Sequence, residues 1–129
     1  MLLPVATSCL AGSFYIRGRI LPRPDDTAWR HIVYLAKMAS INDFLRSSSE
    51  LVVDSAHIHK DGRFEFHNAS VIEKNTFYRM EVYTNDFHGS SMLISYGTSD
   101  NFAYLLLQPE SKITFEAELA HFNYALRPI

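Results

Sequence analysis

Hydrophobic and polar residues alternate along most of the chain, and this period of two is typical of β-strands with one buried face. In "SFYIRGRIL" Phe14, Ile16 and Ile20 share one side of an extended segment. Arg17 and Arg19 occupy the other side. Short apolar or alternating runs recur in "HIVYLAKM", "TFYRMEVYT", "SSMLISYG", "NFAYLLLQ" and "KITFEAEL". Turn residues separate these runs, so the sequence predicts an all-β fold, an antiparallel β-sandwich of about seven or eight short strands.

One segment, "ASINDFLRSSSE", does not alternate. Ile41, Phe44 and Leu45 follow Ser40 at helix-like spacing, and serine is a favourable N-cap residue. The segment therefore predicts one short helical turn near residues 40–46.

The stretch "VVDSAHIHKDGRFEFH", residues 52–67, is rich in polar side chains that could belong to an active site or have a purely structural role. Asp61 and Gly62 form a strong hairpin signal, because glycine adopts the positive φ that a two-residue turn needs and aspartate tolerates it. The pattern predicts a hairpin whose returning strand turns Phe64 and Phe66 inward. Asp61, Gly62 and the two phenylalanines are therefore interpreted as structural residues.

Three histidines of this stretch are candidate metal ligands. His57 and His59 share one strand face, with α-carbons about 7 Å apart, and His67 could supply a third imidazole. No spacing fixes a carboxylate ligand, so the polar face of a hairpin is the favoured interpretation and no cofactor is expected. A Ser-His-Asp hydrolase is favoured less, because Ser55 lacks the Gly-x-Ser-x-Gly turn and Asp54 points to the opposite strand face.

Asp54 is turned toward the apolar side by the alternation. An inward carboxylate needs hydrogen-bond donors, so we expect Asp54 to accept backbone N–H groups and to act structurally. The same alternation predicts a set of buried core residues: Phe64, Phe66, Tyr78, Met80, Leu106 and Phe115.

Composition limits the classes of function. The chain has 129 residues, of which 47% are hydrophobic, and this is enough for one packed core, which we assign to a single domain over residues 13–129. Its 12 Lys+Arg nearly balance 14 Asp+Glu, without a basic run, so nucleic acid is not an expected partner. The single cysteine, Cys9, excludes a disulfide, a CxxC centre or a cysteine-based zinc site within this sequence.

Residues 1–12 are apolar and then small, and "ATSC" resembles a lipoprotein processing site that ends at Cys9. We interpret this segment as the remnant of a signal or lipoprotein segment, with Cys9 as the lipidated residue and the lipid as the only membrane contact. The alternative is a short buried first strand over residues 2–6.

A run of motifs resembles a known family. The segments are "FYIRGRI", "VYLAK", "LVVDSAHIHKDGRFEF", "TFYRMEVY" and "DNFAYLLLQPESKITFEAE". They are similar to the N-terminal β-sandwich domain of unknown function that precedes thioredoxin-like domains in exported bacterial thiol-disulfide interchange proteins. The resemblance implies a small β-sandwich, a location in the periplasm or attached to the outer membrane, and an accessory role without established catalytic residues. The thioredoxin-like domain with its paired cysteines is absent from this sequence.

Three functional hypotheses follow. The first is a non-catalytic accessory module of the cell envelope that binds or positions a protein partner or adjacent domain, such as a thioredoxin-like one. The second is a sandwich that binds a glycan or peptide on exposed aromatic rings, with Tyr15, Trp29, Tyr83 and Phe87 as candidates. The third is an enzyme that depends on the histidine face. An exposed aromatic platform would favour the second hypothesis, and converging imidazoles would favour the third.

Overall fold

The computed structural model describes residues 13–20, 29–85, 90–92, 102–117 and 127–128. Their strands are β1 (Tyr15–Ile20), β2 (Trp29–Lys37), β3 (Arg46–Ser48), β4 (Val52–His57), β5 (Arg63–Phe66), β6 (Thr76–Thr84), β7 (Ser90–Met92), β8 (Phe102–Leu107), β9 (Lys112–Ala117) and β10 (Arg127–Pro128). Three short 3-10 helices cover Ile41–Leu45, Ser49–Leu51 and Ala69–Val71. The predicted all-β fold is confirmed, and the helical turn predicted near residues 40–46 is the 3-10 helix Ile41–Leu45.

Eight of these strands form two four-stranded sheets. Sheet A has the order β10-β9-β1-β5, and sheet B has the order β4-β2-β6-β8. All neighbours pair antiparallel except β1 and β9, which are parallel. The remaining strands, β3 and β7, form a separate two-stranded ribbon.

The core lies between the two sheets, because the alternating apolar side chains of both turn toward each other. Phe64 and Phe66 of β5 are 2% and 1% exposed, as the alternation predicts, and their rings meet edge to face. Tyr78 and Met80 of β6 are fully buried from the side of sheet B. The side chain of Phe115, also predicted to be buried, lies outside the described part of the structure.

The prediction that Leu106 is buried is wrong. Leu106 is 52% exposed, whereas its neighbour Leu107 is fully buried. The strand register pairs Leu106 with Phe77 on the outer face of sheet B, and β8 turns Ala103 and Leu107 into the core. A run of three leucines carries no alternation, so the sequence did not reveal which of them face inward.

The turn between β4 and β5 also differs from the prediction. His59 accepts a hydrogen bond from the Gly62 N–H and donates its own N–H to the Arg63 carbonyl, both at 2.8 Å, so three residues form the loop. Gly62 has a φ of +89°, as predicted, but the positive φ that a two-residue type I′ turn needs at Asp61 is not observed. The geometry is that of a tight turn followed by a glycine bulge. The predicted hairpin pairing is wrong as well, since β4 belongs to sheet B and β5 pairs with β1 in sheet A.

The outer face of sheet B is covered near its centre. The alternation in β6 predicts that Arg79, Glu81 and Tyr83 face outward, and they do, yet they are only 0%, 1% and 4% exposed. Residues 38–48 cross this face and bond to it, so β6 is buried on both sides. This second layer contributes apolar side chains to the outer surface of sheet B.

Candidate functional site

Four apolar side chains form an outward-facing surface at one end of sheet B. Ile41, Phe77 and Leu106 are 79%, 47% and 52% exposed. Phe77 and Leu106 are paired across β6 and β8, and Ile41, Phe44 and Phe77 line one shallow groove of about 530 Å³. We call Ile41, Phe44, Phe77 and Leu106 the apolar patch. Leu45, 44% exposed, belongs to the same 3-10 helix as Ile41.

A row of aromatic rings extends from the apolar patch along β8. The Phe44 ring lies 6.0 Å from that of Phe77 and 5.1 Å from that of Tyr104, measured between centroids. The Tyr104 ring in turn lies 5.6 Å from that of Phe102. The apolar patch therefore continues beside β8, which comes last in the order of the described strands of sheet B.

The 3-10 helix that carries Ile41 and Phe44 is held by its terminal carbonyls. Arg79 donates from Nη1 to the Asp43 carbonyl at 2.7 Å and from Nη2 to the Arg46 carbonyl at 2.8 Å. The Tyr104 hydroxyl donates to the Phe44 carbonyl at 3.0 Å. These bonds satisfy acceptors that the end of a short helix leaves unpaired.

The start of the same helix is held by Asp43. Its Oδ2 accepts the N–H groups of Ala39 and Ser40, at 2.8 and 2.9 Å, as the acidic residue of a capping box does for the N-cap N–H. Just before it, the Met38 N–H donates to the Phe77 carbonyl at 3.0 Å. The helix is fixed at both ends, so its exposed side chains are presented on a rigid base.

Arg79 belongs to a buried polar network. Its Nε lies 3.1 Å from Glu81 Oε2, in an offset ion pair rather than a linear hydrogen bond. Glu81 also accepts hydrogen bonds from the Ser47 hydroxyl and from the Tyr83 hydroxyl, the latter at 3.2 Å. Burial, and then the negative charge of Glu81, raise the pKa of Tyr83 well above its usual range. The network joins β3 to β6 and fastens the outer layer that carries the apolar patch.

The histidines do not assemble as the sequence suggested. His57 and His59 are exposed and their rings meet edge to face, with centroids 5.4 Å apart. His67 is exposed just beyond β5, which is in the other sheet, so the common hairpin face predicted for the three residues is not formed. Among the residues that the structure describes, no three His, Cys, Asp or Glu side chains are placed to hold a metal ion.

The two aspartates of the same stretch bond to nearby backbone. Asp54 is half-buried, and its Oδ1 accepts the N–H of Ser55 at 2.8 Å. The Asp61 carboxylate accepts hydrogen bonds from the side-chain Nε–H of Arg63 at 2.7 Å and from the backbone N–H of Arg63 at 3.1 Å. These bonds lower the pKa of Asp61. Both contacts are local and brace the strand or turn that contains them. Cys9, the predicted lipidation site, lies outside the described residues, as does the whole segment 1–12.

The three described aromatic residues among those proposed for glycan binding do not form a platform. Tyr83 is buried, and Trp29 is partly buried against the core. The Arg17 guanidinium covers one face of Tyr15, 3.9 Å from the ring centroid. Phe87 lies outside the described residues. The apolar patch was missed, although Ile41 in a polar segment and Phe77 on the outward side of its strand were visible signals.

Within the described ranges, no helix has the length and apolar character needed to cross a membrane. No family model, curated protein or solved structure matches the chain.

Proposed function

We propose that this chain is a non-catalytic accessory module that binds a protein partner through the apolar patch. The observation that carries the proposal is Ile41, a large apolar side chain 79% exposed on a helix that hydrogen bonds hold at both ends. Grouped exposed apolar side chains mark interaction surfaces in soluble domains. A surface that is already rigid loses less conformational entropy on binding, so it favours affinity.

The sequence resemblance adds a cellular location and a class of partner to this proposal. Domains with similar motifs precede thioredoxin-like domains in exported bacterial proteins, so we infer a place in the cell envelope and a thioredoxin-like domain as the partner. The second hypothesis, a glycan platform, has less support because Tyr83 is buried and Arg17 covers Tyr15.

The proposal is tested with a phage library of random 12-residue peptides selected against the purified chain. We expect the selected peptides to shift the amide NMR signals of Ile41, Phe77 and Leu106. A Phe77→Asp change should weaken their binding at least about tenfold, since a charge in a central apolar contact is costly. The shifts locate the surface, and the variant measures its contribution.

His67→Asp is the matched control, because it adds the same charge at an exposed position outside sheet B. It should leave the affinity of the selected peptides within about twofold of the parent value. Thermal melts of both variants verify that they remain folded. Peptides that bind Phe77→Asp as tightly as the parent chain would refute the apolar patch as the binding surface.

A further inference from the structure

Charged side chains surround an open cleft of about 740 Å³ on the outer face of sheet A. They come from β1, β5 and the turn between β4 and β5, and they are Arg17, His59, Lys60, Asp61, Arg63 and Glu65. With the histidine neutral, three cations and two carboxylates give this lining a net charge of +1, whereas the whole chain has a net charge of -2. Clefts of this size are typical of small-ligand sites. The apolar patch lies on sheet B, so the cleft is a separate surface.

Three arginines are neighbours on this face. Arg19 of β1 is paired directly with Arg63 of β5, and Arg17 lies two residues earlier on the same side of β1. Arg17 and Arg63 are therefore diagonal neighbours, with α-carbons roughly 7–8 Å apart. Like charges directly opposite each other on a sheet are destabilising. An anion bound between these side chains would relieve their repulsion.

The two carboxylates occupy only part of the hydrogen-bonding capacity of the cations. Arg17 approaches Glu65 Oε2 through Nε, at 3.4 Å. Arg63 directs Nε and Nη2 to a single oxygen, Asp61 Oδ2, at 2.7 and 2.6 Å. Each guanidinium has five N–H donors, and the Lys60 ammonium adds three. The cleft therefore offers more donors than its own carboxylates accept, as an oxyanion site does.

The two arginines of the lining are positioned by their neighbours and are still accessible. The Arg17 guanidinium lies 3.9 Å from the centroid of the Tyr15 ring, in a cation–π contact. Arg63 is held by Asp61, which also accepts its backbone N–H. The side chains of Arg17 and Arg63 are nevertheless 56% and 72% exposed. Donors that are already positioned lose less conformational entropy when a ligand binds.

We propose that this cleft binds a phosphate monoester, with Arg17, Lys60 and Arg63 as its donors. Planar guanidinium groups donate to phosphate oxygens in pairs, and the lysine ammonium adds a compact positive charge. A soluble ester and the headgroup of phosphatidic acid present the same phosphate chemistry. The site is independent of the apolar patch, so either proposal can fail without the other.

The first test titrates inorganic phosphate and glycerol 3-phosphate into the purified chain at about pH 8, where ordinary histidines are neutral. We expect saturable shifts of the amide NMR signals of Gly18, Lys60 and Arg63, which line the cleft. Phosphatidylcholine vesicles with and without phosphatidic acid test the lipid source. Binding of glycerol 3-phosphate without binding to the vesicles assigns a soluble ester. Tighter binding to the vesicles that contain phosphatidic acid assigns the lipid headgroup, and binding to none of these probes would overturn the proposal.

Variants of the chain test the donors. Arg17→Gln removes a cation whose side chain is exposed, so it should weaken the binding of glycerol 3-phosphate at least about fivefold while the chain stays folded. Glu65→Gln should have the opposite effect, a gain of at least about twofold, because it removes a negative charge from the lining.

Lys74→Gln is the matched control, because it removes the same charge at an exposed position in the loop before β6, outside the cleft. It should leave the affinity for glycerol 3-phosphate within about twofold of the parent value. Thermal melts verify that all three variants are folded. Equal losses of affinity for Arg17→Gln and Lys74→Gln would show attraction by net charge alone and would overturn the site.

Discussion

Arg79 and Glu81 form an ion pair on the outer face of β6, with Nε 3.1 Å from Oε2 and both side chains buried. Residues two apart on a strand share a face, so the pair is set by the sequence spacing. Burying two charges is costly, and their mutual attraction offsets this only when further hydrogen bonds satisfy them. Here these bonds reach residues 43–47, so the pair fastens the outer layer to the sheet.

The first prediction concerns Arg79→Ala, which leaves Glu81 buried without its cation. We expect a loss of about 3–5 kcal/mol in the free energy of unfolding. The amides of residues 39–46 should also exchange with solvent faster, because two carbonyls of this segment lose their donor. Urea denaturation and hydrogen exchange measure the two effects.

Arg17→Ala is the control for this prediction. Arg17 also forms an ion pair on a strand, with Glu65 at 3.4 Å, but both side chains are about half exposed. Exposed pairs contribute little, so the loss should be below about 1 kcal/mol. Similar losses for Arg17→Ala and Arg79→Ala would show that burial of the second pair has no energetic role.

The strands could be predicted from the sequence because alternation is a local property. The burial of β6 on both faces could not, since the cover comes from residues 38–48, which lie more than 25 positions earlier in the chain. Arg79, Glu81 and Tyr83 carry polar groups, and in the sequence they look like a strand face that is exposed to solvent. Only the fold shows that their polar groups meet carbonyls and hydroxyls of another segment.

The candidate site was predictable only in part. The helical turn that carries Ile41 followed from spacing and from Ser40, but its docking on sheet B depends on Arg79 and Tyr104, far away in sequence. The exposure of Leu106 was hidden because it lies within a run of apolar residues. A surface made by two distant segments has no signature in either segment alone.

The second prediction checks the register of β8 with two neighbouring leucines. Leu107→Ala should lower the free energy of unfolding by about 2–5 kcal/mol, because it leaves a cavity in the core. Leu106→Ala should change it by no more than about 0.5 kcal/mol, because the side chain is half exposed. Chemical denaturation compares the two, and a reversed order of losses would mean that the register is shifted by one residue.

The third prediction concerns Gly62. Its φ is +89°, and an added β-carbon would lie 2.2 Å from the Ile20 carbonyl oxygen. That oxygen belongs to backbone at the end of β1 and has little freedom to move. Gly62→Ala should therefore lower the free energy of unfolding by about 1–3 kcal/mol, and Gly62→Val should lower it by at least as much. Lys60→Val, in the same loop, should be far milder, and comparable melting temperatures for the two valine variants would contradict the geometry.

The fourth prediction concerns metal binding by His57 and His59. Within the described ranges, these two exposed imidazoles lack the further ligands and the shelter that a tight zinc site needs. Zn²⁺ should thus bind weakly and raise the melting temperature little, because stabilisation grows with the ligand concentration relative to Kd. Calorimetric titration measures this directly. A one-to-one complex that survives dialysis and disappears in the double change His57→Ala and His59→Ala would restore the metal-site hypothesis.

The last prediction concerns stability at alkaline pH. Burial and Glu81 raise the pKa of the Tyr83 hydroxyl, so the folded chain keeps this proton at pH values where the unfolded chain, with a tyrosine pKa near 10.0, has lost it. Because the folded state then binds more protons, the free energy of unfolding falls as pH rises above about 10, by up to about 1.4 kcal/mol per pH unit from this residue. Below about pH 10 Tyr83 is protonated in both states, so it does not make the free energy of unfolding depend on pH. Tyr83→Phe removes the titrating group, so denaturation midpoints from pH 7 to 11 should decline less steeply in the variant. Equal slopes above pH 10 would show that Tyr83 ionises alike in both states.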